Sequence, residues 1–200
     1  MTALDGVVSF NLYLAREFFD ARTCAEIINE LASAAHSPAT VYGAHATGAI
    51  DERMRKALRL RPSAETVERV RQRLLAARAE VGAHFGLSLS DCEDPQFLRY
   101  RAGDFFVAHQ DGNTGLMLSE REQFRKVSVV IFLNRQSEVA EAGAYVGGSL
   151  VFTEWRPTRA RGQYRLTGEA GMLVAFPSET THEVTPVEWG ERYAIVSWYG

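Results

Sequence analysis

Lysine is nearly absent from this 200-residue chain: Lys56 and Lys126 are the only two among 22 basic side chains. Arginine carries the remaining positive charge, a compositional bias that lowers the functional weight of any isolated arginine. Cysteine is equally scarce. Cys24 and Cys92 are too few for a disulfide framework in a chain of this size and read as structural or incidental. No window reaches the apolar length of a membrane span, and residues 1–8 lack a basic start followed by a long apolar stretch. A soluble, cytoplasmic protein is predicted. No linker, low-complexity tract or repeat of fixed period interrupts the chain, so residues 1–200 are expected to form a single domain. With a net charge of -3 and a pI near 6.0, nothing calls for nucleic acid or an acidic membrane as partner.

Within that frame, hydrophobic periodicity divides the chain into a helical N-terminal support region (1–90) and a β-rich core (91–200). Residues 7–14 alternate as a strand, with Val8, Phe10, Leu12 and Leu14 on one side. Thr23-Cys-Ala-Glu26 has the form of a capping box, and Ile27, Ile28, Leu31 and Ala35 behind it give the apolar face of a helix ending near 36–38. Residues 40–43 are a short strand candidate, while 51–60 suit helix or strand. A longer helix starts at Pro62 and Ser63, carries Val67, Val70, Leu74, Ala77 and Val81 as its stripe, and stops at Gly86. Then the character changes. Eight short runs rich in Val, Ile, Phe, Tyr and Trp, at 96–100, 105–109, 127–133, 149–153, 163–166, 172–176, 182–187 and 192–199, read as strands. The fold class is α+β: a jelly-roll core, or double-stranded β-helix, of about eight antiparallel strands, with the N-terminal helices packed on one sheet.

The chemistry concentrates at the end of the second of these runs. If 105–111 is extended, His109 and Asp111 point to one side, and a third ligand would complete the two-histidine, one-carboxylate arrangement of mononuclear non-haem iron(II). The stretch by itself also fits a plain alternative, an Asp111-Gly112 hairpin turn with His109 as a satisfied histidine at a strand end. Of the other four histidines, His36, His45 and His84 suit surface or capping roles. His182 begins a strand and is placed to reach a barrel mouth. In the last run Arg192, Ala194, Val196 and Trp198 share a face, which sets an arginine on an otherwise apolar side. An anion should meet it there, whether a protein carboxylate or a bound dicarboxylic acid.

These residues resemble the signature of the iron(II)- and 2-oxoglutarate-dependent oxygenases, in particular the prolyl 4-hydroxylase-like branch. The resemblance is carried by His109-Gln-Asp111, His182 and Arg192. It is supported by Tyr100-x-x-Gly103-Asp104-Phe-Phe, Arg125-x-x-Ser128, Gly147-Gly148-Ser-Leu-Val-Phe152, Gly171-Met-Leu-Val-Ala-Phe176-Pro177-Ser178 and the closing Trp198-Tyr199. It covers residues 90–200 and reaches the first half only loosely.

The resemblance implies iron(II) held by His109, Asp111 and His182, with Arg192 receiving the far carboxylate of the cosubstrate 2-oxoglutarate. It further implies that Tyr100, Ser128 and Trp198 line the cosubstrate pocket, that O2 is consumed, and that ascorbate is an optional reductant. Many relatives have tyrosine where this chain has Phe132, so one hydrogen bond to that carboxylate is missing or comes from Ser128. The implied reaction is hydroxylation of an unactivated C-H bond with release of succinate and CO2. A carboxylate at position 111 disfavours the halogenating variant. The substrate is a small molecule, an amino acid or a peptidyl residue, chosen by loops at 112–124, 135–147 and 154–163, the last with Arg156, Arg159 and Arg161 beside Trp155. Two other classes compete: a cupin-like metal enzyme without 2-oxoglutarate, and a non-catalytic metal-binding barrel. The substrate and the oligomeric state are not written in the sequence.

Overall fold

The computed structural model of the chain describes residues 10–40, 50–112, 120–154 and 162–200. The first half contains β1 (Tyr13–Ala15), α1 (Ala21–Ser33), β2 (Ala35–Pro38), β3 (Arg55–Lys56), β4 (Leu58–Arg61) and α2 (Ala64–Phe85). Then come β5 (Gln96–Arg101), β6 (Phe105–His109), α3 (Glu120–Phe124), β7 (Val127–Phe132), β8 (Tyr145–Gly147) and β9 (Leu150–Thr153). β10 (Gln163–Leu166), β11 (Leu173–Pro177), β12 (His182–Val184) and β13 (Val187–Tyr199) complete the chain.

All eight strands expected after residue 90 are present. Among the described residues, β8 and the first-half strands β1 to β4 join them, so the first half contributes strands as well as helices. β2 and β4 extend one sheet, and β3 extends the other. The segment 51–60, which suited helix or strand, is a turn at 52–54 followed by the short strands β3 and β4, and the 40–43 candidate lies mostly outside the described residues. α1 also departs from expectation. Its N-cap is Asp20, whose side chain accepts from the Thr23 amide at 2.7 Å, so Thr23 lies inside the helix and caps nothing. The helix then stops at Ser33, because Ala35–Pro38 pairs with β4 and gains sheet hydrogen bonds there. α2 follows the sequence closely. Ser63 accepts from the Thr66 amide, and Gly86 closes the helix in the left-handed region at φ 67°, where a residue without Cβ is unstrained.

The strands form two antiparallel sheets, as a jelly roll requires. The larger runs β1-β11-β7-β13-β5-β4-β2, with β8 beside β13, and the smaller runs β10-β9-β12-β6-β3. Strand parity divides the larger sheet's side chains between two cores. On β7, Val127, Val129 and Ile131 face α1 and α2 and pack with Ile27, Leu31, Val70, Leu74 and Val81. Val130 and Phe132 face the other sheet and pack with Phe152, Phe176 and Val184. Each fully buried aliphatic or aromatic side chain contributes about 1.5–3 kcal/mol, so the two layers hold the sheets rigidly around the cleft between them.

Candidate metal centre

β6 and β12 are neighbours in the smaller sheet, in a register that sets His182 directly opposite His109. The imidazoles lie 4.2 Å apart between centroids. Asp111 follows β6 by two residues and sends one carboxylate oxygen to each: Oδ1 is 3.5 Å from His109 Nε2, and Oδ2 is 3.5 Å from His182 Nε2. The three ligand atoms lie within 4.8 Å of one another. The hairpin alternative for Asp111-Gly112 falls away, because β6 pairs with β12 and β3 and not with β7. The amides of Asp111 and Gly112 both donate to the Ser178 carbonyl, at 2.9 and 3.1 Å.

Second contacts fix the orientation of these groups. His109 Nδ1 lies 2.8 Å from the Val107 carbonyl and His182 Nδ1 lies 2.9 Å from that of Thr180. A carbonyl only accepts, so each Nδ1 carries the proton and each Nε2 turns a lone pair toward the shared centre. Phe106 stacks on His109 at 3.6 Å, and Phe176 meets His182 edge-on at 4.7 Å. Ser128 Oγ donates to Asp111 Oδ2 at 2.7 Å. Burial pushes the Asp111 carboxyl up, but the two neighbouring imidazoles and the hydrogen bond from Ser128 outweigh it and hold the group below the usual carboxylate range. Burial, aided by His109, lowers His182 to about 4 against the opposing pull of Asp111. At neutral pH these two groups are therefore a carboxylate and a neutral imidazole, the states that bind a divalent cation.

Arg192 lies on the inner face of β13, opposite Tyr100 of β5, and is 1% exposed. Its guanidinium sits over the rings of Tyr100 and Phe132, at 5.1 and 5.2 Å, and its Nε has no hydrogen-bond partner. Trp198 shares this inner face, and its indole Nε1 is likewise buried without a partner. One cleft is lined by Tyr100, His109, Asp111, His182, Arg192 and Trp198. Arg125 also borders it, but Glu93 neutralises it through two hydrogen bonds. Ser128 is engaged with Asp111 and, at 3.0 Å, with Ser178. The hydroxyl that meets the Arg192 charge is that of Tyr145, a residue to which the sequence drew no attention. Burial raises its pKa and Arg192 moderates the rise. The Tyr145 hydroxyl is buried and, its proximity to the Arg192 charge apart, makes no hydrogen bond of ordinary geometry. It lies beside the Phe132 ring: a Cβ built on Gly168 would fall 2.3 Å from the one and 2.6 Å from the other. Orphaned donors at Arg192, Tyr145 and Trp198 beside a two-histidine, one-carboxylate group match an anion whose other end reaches a metal.

Residues 95–200 match the family model of the 2OG-Fe(II) oxygenase superfamily. The chain belongs to that superfamily. It is 35% identical over 131 residues to a PKHD-type hydroxylase of Shewanella oneidensis, a match covering 66% of this chain and 52% of the relative. It thus spans about half the length of the curated relatives it matches. Among solved structures it resembles a Pseudomonas putida prolyl-4-hydroxylase, with a TM-score of 0.67 and 23% identity over 96% of this chain and 92% of that one. It also resembles a Trichoplax adhaerens prolyl hydroxylase in complex with a hypoxia-inducible-factor peptide fragment, with a TM-score of 0.71 and 17% identity over 94% and 83%. At these identities the likeness is one of fold. Among the described residues no helix is long and apolar enough to cross a membrane. The Trp155, Arg156, Arg159 and Arg161 cluster and His45 lie outside the described residues.

Proposed function

We propose that this chain is the oxygenase unit of an iron(II)- and 2-oxoglutarate-dependent hydroxylase acting on an unactivated C-H bond of a small molecule, amino acid or peptidyl residue. In this reading His109, Asp111 and His182 hold the iron. Arg192 receives the far carboxylate of 2-oxoglutarate, with Tyr100 and Trp198 closing the pocket around it. The observation that carries the proposal is Arg192, a buried cation with an unmet donor in the same cleft as the three ligands. A cupin-like centre without a dicarboxylate gives that charge no partner. Bound iron with 2-oxoglutarate would supply the oxidising power for C-H hydroxylation by O2, with succinate and CO2 released.

The chain's own residues supply the geometry. Asp111, held by Ser128, and the two histidines, each oriented by a backbone carbonyl, would hold the metal with three side chains and leave it able to take further ligands. Arg192 offers a planar fork matched to a carboxylate, and the rings of Tyr100 and Phe132 keep water from competing for it. Anaerobic titration with iron(II) and 2-oxoglutarate, followed by admission of O2 and measurement of succinate, tests the reading. Stoichiometric binding of both and succinate release that His182→Ala abolishes are expected. Failure of 2-oxoglutarate to bind the iron-loaded protein would overturn the reading.

A further inference from the structure

The cleft contains a second arginine that the iron and cosubstrate leave unused. Arg55 lies on β3, opposite Phe106 of β6, and is 8% exposed. Its guanidinium sits 4.6 Å above the Phe106 ring, and that ring stacks on His109, so the charge stands one aromatic ring away from a metal ligand. Nη1 donates to the Thr40 carbonyl at 3.1 Å, while Nε is buried with no partner. Among the described residues no carboxylate forms an ion pair with it. Asp51 pairs with Arg53, Asp104 with Lys56 and Glu93 with Arg125. Arg55 lines the same cleft as the three ligands and Arg192. A purely structural arginine tying β3 to Thr40 would need neither the unmet donor nor a place in the cleft.

On the oxygenase reading, which this step rests on, 2-oxoglutarate brings two carboxylates. The metal takes one and Arg192 the other. Arg125 is already neutralised, which leaves Arg55, among the described residues, as the cation in the cleft without an anion. We infer that Arg55 is a substrate-recognition residue and that the substrate carries a carboxylate, docked on the Arg55 guanidinium beside the Phe106 ring. A carboxylate fits better than a phosphate dianion, because one arginine with a free edge matches one planar monoanion. The carboxylate is either the terminal group of a small acid or an acidic side chain within a peptide.

The protein loaded with zinc(II), as a diamagnetic substitute for iron(II), and saturating 2-oxoglutarate separates these sources. The Arg55 Nε-H resonance, assigned by its loss in Arg55→Gln, reports occupancy during titration with N-acetylglycine, N-acetylaspartyl-N-methylamide and the neutral N-acetylglycinamide. The two acids should shift it saturably and the amide should not. The tighter acid identifies the source, terminal for the first and side-chain for the second. Arg55→Gln should weaken binding of the acids about tenfold or more, as expected when a charge-assisted pair is lost, and Arg55→Lys should retain part of it. Unchanged 2-oxoglutarate affinity in both variants shows that they remain folded. Silence from both acids, or binding indifferent to Arg55→Gln, would overturn the inference, as would a shift of Arg55 by 2-oxoglutarate itself that blocks the acids. If 2-oxoglutarate fails to bind, the oxygenase reading falls separately, and the same probes on the zinc-loaded protein decide Arg55 alone.

Discussion

Arg192 and Tyr145 show how much of the proposed chemistry rests on donors left unmet. Replacing Arg192 with leucine would strand the far carboxylate of 2-oxoglutarate in a buried site, at a cost of roughly 3–5 kcal/mol. That corresponds to an affinity loss of about a hundredfold or more, readable by anaerobic titration. Tyr145→Phe should separate binding from folding. Because its hydroxyl makes no hydrogen bond of ordinary geometry in the ligand-free fold, the variant should stay close to the parent in urea stability. Its 2-oxoglutarate affinity should fall by about tenfold, the worth of one buried hydrogen bond. His182 gives a pH test with a definite sign. It titrates at 6.5 when unfolded and near 4 when folded, so the unfolded chain binds the extra proton between those values. The contribution of His182 to stability is therefore complete above about pH 6.5 and is lost as pH falls toward 4, which chemical denaturation of the metal-free protein across that window should register.

At the level of elements, the site depends on two strands brought together and on helices that brace the sheet behind them. α1 and α2 are joined by Glu30, whose carboxylate accepts from the Ser63 amide at 2.5 Å and the Thr66 hydroxyl at 2.6 Å. Glu30 thus links the two helices at the start of α2. Ser63→Ala should cost about 1 kcal/mol through loss of the N-cap, seen as a lower urea midpoint, with little change in 2-oxoglutarate affinity because α2 lies behind the sheet. The start of α2 was legible because a cap and a C-terminal glycine are local signals. The start of α1 was not. Thr23 and Glu26 have the spacing of a capping box, yet Asp20 takes the role three residues earlier. Its carboxylate accepts from the Thr23 amide, and the pattern alone does not choose between two overlapping caps. β2 to β4 were hidden for a different reason. They are strands of two to four residues that pair with partners distant in the chain or with each other, β4 with β5 and β2, and β3 with β6, and so short a segment carries no periodicity.

Across the whole molecule, two hydrophobic layers separate stability from chemistry. Leu74 of α2 is fully buried in the helix-side layer, and its carbonyl accepts from the Tyr199 hydroxyl at 2.7 Å at the end of β13. Leu74→Ala should therefore destabilise by about 2–5 kcal/mol in calorimetry or urea, while folded variant still binds 2-oxoglutarate. Cys24 and Cys92 belong to the same layer, and burial pushes both thiols up to about 11. Iodoacetamide at pH 8 should leave both unmodified until the protein unfolds, because too little thiolate is present in the folded state.

The sequence determined by itself the features that depend on near neighbours. These are the strand parity that turns Arg192 and Trp198 inward, the caps of α2, and the pairing of His109 with Asp111 on one side of the chain. Tertiary structure decided the rest. His182 is 71 residues from Asp111, and only the β6–β12 register brings its Nε2 to 3.5 Å from that carboxylate. Arg55 and Tyr145 carry no local mark, because what distinguishes them is a missing partner, and that property exists only once two sheets have closed and excluded water from the cleft between them.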